Sequence, residues 1–108
     1  MDFDINEVLA DMLSAIKGTV EDNWDVVKST AVQFLDRRKD RLELLAELRI
    51  TGELSQEKFE SRLADEKLIF EAELHAVAVI SKAIAQKAIN AAIDVLEGAV
   101  KTAIKTVL

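Results

Sequence analysis

One break constrains this chain more than any other feature. Proline is absent, and apolar residues recur at helical spacing through Val27, Ala31, Phe34, Leu35, Leu42, Leu45 and Leu48 until Thr51-Gly52 interrupts them. Ser55 then opens a second helical phrase, SQEKFESRL. Gly52 suits the left-handed turn that follows a helix, and Ser55 can accept a hydrogen bond from the first free amides of the next one. Residues 50–55 therefore read as the elbow of a helical hairpin, with Gly52 and Ser55 as its stop and start. Ala, Leu, Glu, Lys, Ile and Val dominate on both sides, which favours helix throughout. The expected fold class is all-α, an antiparallel helical hairpin within a single domain over 1–108.

An antiparallel hairpin folded at Gly52 brings together residues whose numbers sum to about 104. Leu45 then faces Phe59, and Phe34 faces Phe70. Two carboxylates intrude on the second arm's apolar stripe, Glu66 and Glu73. Glu66 falls opposite Arg38, which itself interrupts the first arm's stripe between Phe34 and Leu42. A carboxylate and a guanidinium meeting in an apolar seam add little net stability, but they oppose any slip that would strand either charge. Arg38 and Glu66 are therefore expected to form a register-setting ion pair. Glu73 falls opposite Ala31, with Lys28 or solvent within reach.

Both ends of the chain are apolar over a wide arc. Ile5, Val8, Leu9, Met12, Leu13 and Ile16 show this breadth near the start. In the last third, Ala88, Ala92, Val95 and Ala99 make one stripe, and Ile89, Ile93, Leu96, Val100, Ile104 and Val107 make a bulkier one beside it. A single antiparallel partner leaves part of such an arc wet. The stripe starting at Ile5 also runs through Gly18 to Val20, Trp24 and Val27, so Gly18 is open to two readings, the end of a first helix near Lys17 or a kink in a continuous arm. The expectation is a four-helix-bundle-like arrangement reached by homodimerisation, with the bulkier stripe, Ile89 to Val107, as the interface. The alternative is that the arms fold back at Gly18 and near residues 85–90.

The segment RLELLAELRITGELSQEKFESRL, Arg41 to Leu63, resembles the short helical hairpin of SHOCT-type domains: leucine-rich helix, glycine, aliphatic residue, Thr or Ser, two acidic residues and Phe. Gly52, Leu54, Ser55, Glu57 and Phe59 fit that pattern, and Lys58 replaces one of the acids. The resemblance covers about a fifth of the chain. It implies self-association and carries over no catalytic residue.

Charge and composition narrow the function classes. The net charge is −6, with ten Lys/Arg against eighteen Asp/Glu in residues 1–75 and four Lys against Asp94 and Glu97 in 76–108. An acidic surface argues against nucleic acid, which needs clustered cations to displace phosphate counterions. The basic cluster DRRKDR is diluted by its own aspartates. Cysteine is absent and His75 is the single histidine, following Glu71 by four residues rather than the three of the Glu-x-x-His pairs in di-iron bundles. Neither a glycine-rich phosphate loop nor a Ser–His nucleophile pairing is legible, so the chain reads as non-enzymatic and free of cofactor. An acidic first segment differs from a signal peptide, which points to the cytoplasm.

The expected role is structural: helical self-association, or adaptor contact with another helical protein. Residues 76–108, amphipathic and net cationic, leave peripheral membrane binding open as an alternative. A carboxylate-rich bundle holding a metal is the second alternative.

Overall fold

A computed structural model describes residues 3–76 and 80–107, the side chains of 106 and 107 excepted. The described residues are helical nearly throughout and include no strand. Helix α1 spans Ile5–Val20, a short 3-10 turn covers Glu21–Asn23, α2 spans Trp24–Ile50, α3 Gln56–Ala76 and α4 Lys82–Val107. Each helix packs on the next in sequence, and α4 closes back on α1 in the most extensive contact of the fold. The result measures 43 × 22 × 21 Å.

The elbow forms as its residues dictate. Helix α2 stops at Ile50, and Gly52 adopts φ +85°, a conformation that carries a steric cost for residues with a β-carbon. The N–H groups of Thr51, Gly52 and Leu54 donate to the carbonyls of Glu47, Arg49 and Leu48, so the end of the helix does not leave its acceptors bare. Ser55 Oγ accepts from the Lys58 N–H at 3.2 Å and starts α3. Ser81 repeats this at the head of α4, accepting from the Ile84 N–H at 3.2 Å, and Asp4 caps α1 through the Asn6 N–H at 2.9 Å.

The arms are not continuous, and their breaks do not fall at the two places the sequence offered. Gly18 lies inside α1, and residues 85–90 lie inside α4. The reversals fall elsewhere, at Glu21–Asn23 and between Ala76 and Lys82, a stretch that includes residues outside the described set. Burial explains the difference. Folding α1 back covers Met12, Ile16 and Val20 with the chain's own α2 and α4, and none of these side chains is more than 3 % exposed. The first reversal has a local cost, because Glu21 sits at φ +49°, ψ −109°, outside the small left-handed basin that L-residues tolerate. Strain of this kind costs about 1–3 kcal/mol.

Between α2 and α3 the register is antiparallel. Phe34 and Phe70 stack with ring centroids 4.0 Å apart and planes at 13°. One turn away the seam holds a charge, since Glu66 is only 2 % exposed. Arg38 grips it in bidentate fashion, Nε to Oε2 at 2.9 Å and Nη2 to Oε1 at 2.5 Å. Arg41 Nε adds a third bond to Oε1 at 3.0 Å. The bond to Glu66 holds the Arg38 guanidinium above its ordinary value, against the opposing effect of burial.

Both arginines reach partly into solvent whereas the carboxylate does not, so the two sides of this cluster differ in what their loss leaves behind. The double change Arg38→Ala and Arg41→Ala strands a buried carboxylate and is expected to cost about 3 kcal/mol or more. Replacing Arg38 with Met and Glu66 with Leu together removes the main pair and is expected to be nearly neutral, with Arg41 free to turn outward. Urea denaturation of the two variants checks the order.

Candidate contact surface

Of the stripe Ile89, Ile93, Leu96, Val100, Ile104 and Val107, expected at an interface between copies, the described side chains face this chain's own core. Ile89, Ile93, Leu96 and Val100 are each at most 2 % exposed within the chain's own core, and Ile104 packs against it. The side chain of Val107 lies outside the described residues. The breadth of the stripe is answered internally: Val95 and Ala99 share a groove with α1 residues, while Ile89, Val100 and Ile104 line the seam with α3.

That second seam is the open one. Between α3 and α4, beside the elbow, lies a groove of about 710 Å³ floored by Phe59, Val100 and Ile104 and rimmed by charged residues including Arg49, Glu60, Asp94 and Lys101. Further along the same seam a second groove of about 310 Å³ is lined by Ala64, Lys67, Leu68, Glu71, Gln86, Ile89 and Asn90. Leu68 stands beside it 66 % exposed, the most exposed large apolar side chain among the described residues. Near its far end a hydrogen bond crosses the seam, from Gln86 Nε2 to Glu71 Oε1 at 3.0 Å. At the elbow, Arg49 Nε donates to Gln56 Oε1 at 2.8 Å, and Gln56 Nε2 passes the contact to Glu60 Oε1 at 3.0 Å.

Sequence periodicity missed this surface because Leu68 falls off the apolar stripe and reads as a stray. A signal was present all the same: LIF, Leu68 to Phe70, sets three large apolar residues side by side, and on a helix they cannot all face one core. Ile69 is accordingly 43 % exposed while Phe70 is buried, and Leu44 on α2 is 52 % exposed.

Other expected residues are placed as follows. Arg38 and Glu66 meet, and Gly52 and Ser55 form the elbow. Glu73 pairs with Arg37 rather than Lys28, while its second oxygen is buried without a hydrogen-bond partner among the described residues. Glu71 is tied to Gln86, and His75 is exposed. Among the described residues no three His, Asp or Glu side chains converge as a metal site would require. No described helix is long and apolar enough to cross a membrane.

Glu97 lines the larger groove and is the carboxylate there with a displaced titration. Partial burial pushes its carboxyl above the ordinary value, Lys67 pulls it down, and Asp94 and Glu60 push it further up. A carboxyl raised in the fold binds its proton more tightly than in the unfolded chain, so its contribution to stability falls as pH rises through the folded value and improves on acidification. Glu97→Gln is therefore expected to raise the melting temperature at neutral pH, with the difference from the parent shrinking toward mildly acidic pH. Thermal melts of both chains across that range check the sign.

Compared with known proteins, the chain matches no family model, no curated protein and no solved structure.

Proposed function

We propose that this chain is a non-enzymatic structural module whose four helices form a bundle and whose activity is contact with another helix, in the first place that of a second copy. The observation that carries this reading is the α3–α4 seam, where two grooves follow one another and Leu68 stands exposed beside them. A channel between two antiparallel helices, apolar at its floor and charged at its rim, is a shape that an amphipathic helix fills with side chains spaced three and four residues apart. The rim of the larger groove carries both signs, Arg49, Lys101 and Lys105 with Glu60, Asp94 and Glu97, which suits a partner of mixed charge such as this chain's own helices. The resemblance of Arg41 to Leu63 to SHOCT-type hairpins supports self-association independently of the groove.

Peripheral membrane binding draws less support. It needs the apolar face of α4 to meet lipid, and that face is occupied by the chain's own core. Metal binding would need carboxylates to converge, whereas Glu66 is committed to two arginines and Glu73 to a third.

The test is molar mass by light scattering over a concentration series. The parent chain is expected to exceed one copy at high concentration. Ala64→Arg with Leu68→Glu, which blocks the smaller groove and charges its edge, is expected to lower the average mass while leaving the helical circular dichroism and melting temperature nearly unchanged. An identical mass profile in the variant would remove this seam as the contact surface.

A further inference from the structure

We propose that α1 is an exchangeable arm: two copies of this chain dimerise by each opening the joint at Glu21–Asn23 and laying α1 on the partner's α4. This rests on the self-association reading above and gives it a route. Three observations meet at the joint.

The first is strain. Glu21 is the one non-glycine residue with positive φ among the described residues, and it sits in the turn that folds α1 back. A short, strained hinge favours the exchange of the element it carries, because opening releases the strain. The second is periodicity. Met12, Ile16 and Val20 before the joint and Val27, Ala31 and Phe34 after it are all buried, and on a continuous helix they would share one face. Neither proline nor glycine lies within Glu21–Asn23, so these residues are free to become helical. The third is the contact that exchange conserves. Helix α1 packs chiefly on α4, and it is joined to α2 through those three residues. A partner's α1 brings the same Ile5, Leu9, Met12 and Ile16 to the same surface, so exchange keeps the burial and removes the strain.

The open chain would carry one helix from Ile5 to Ile50, roughly 70 Å long at about 1.5 Å per residue. This exceeds the 43 Å long axis of the closed chain. Scattering at small angle therefore separates an exchanged dimer from two closed chains held side by side.

The decisive experiment uses the absence of cysteine. Asp11 on α1 and Gly98 on α4 line one groove, and a β-carbon at Gly98 would meet nothing within 4 Å. Chains carrying Asp11→Cys and chains carrying Gly98→Cys are unfolded together in urea, refolded together at high concentration and treated with a short bis-maleimide. Exchange is expected to yield a covalent heterodimer, and the same product in an Ala64→Arg, Leu68→Glu background. Glu21→Gly, which accepts the turn without strain, is expected to move the dimerisation midpoint to roughly tenfold higher concentration. Replacing Glu21, Asp22 and Asn23 with alanine is expected to move it the other way. A dimeric mass without the cross-link, or a midpoint indifferent to residue 21, would overturn arm exchange while leaving surface association standing. A monomer at every concentration, in the triple-alanine variant as well, would overturn both.

Discussion

Helix α4 carries apolar side chains over an arc wider than one neighbouring helix can cover, and the rest of the structure follows from where its second partner comes from. On one side Val95 and Ala99 are small enough for α1 to approach closely. On the other, Ile89, Val100 and Ile104 face α3. Helix α3 is the neighbour of α4 in sequence, but α1 lies at the far end of the chain and reaches α4 only if the first arm reverses. Burial of Met12, Ile16 and Val20, each a fully covered aliphatic or thioether side chain, contributes about 1.5–3 kcal/mol apiece. That outweighs the strain at Glu21, which is why the reversal exists without a glycine to ease it.

The α2–α3 hairpin obeys a different logic, in which polarity defines position. Phe34 on Phe70 and Leu45 beside the elbow supply burial at many registers, since one aliphatic contact resembles the next. Glu66 does not have this freedom. Its two oxygens take three bonds from Arg38 and Arg41, and a shift of one turn would leave a carboxylate with 2 % exposure facing leucine and phenylalanine. A pair so placed would raise the free energy of wrong alignments more than it lowers that of the right one, in keeping with its small expected contribution to net stability.

These two logics explain which parts of the fold were legible in the sequence. The elbow was, because Gly52 and Ser55 act through local chemistry, a left-handed turn and a side-chain cap, that any helix pair would need. The partnership of Arg38 and Glu66 was, because a mirror relation about Gly52 fixes which residues face each other once the arms are antiparallel. The reversal at Glu21 was not. The apolar stripe crosses it in phase, Gly18 three residues earlier offers a more conventional stop, and only the demand of α4 for cover decides the matter. The cap at Ser81 was readable from SKAI in principle, but the apolar residues on either side of it continue the helical stripe and hid the start of α4. The breadth of the stripe from Ile89 to Ile104 was seen, while its occupant was not, since one-dimensional periodicity records that a face needs covering and says nothing of whether the same chain or a copy covers it.

Under the arm exchange proposed above, that ambiguity would have a physical counterpart in the molecule. The closed chain and an arm-exchanged pair would bury the same α1 and α4 side chains, so burial does not choose between them. The choice falls to two smaller quantities: the strain at Glu21, which the closed form bears and the open form sheds, and the entropy of bringing two chains together, which dilution makes decisive. A fold balanced in this way would turn concentration into a structural variable. Its α3–α4 seam, with Leu68 at the edge, lies apart from the α1–α4 contact that exchange would re-form, so contacts made through that face would be open to the closed chain and doubled in an exchanged one.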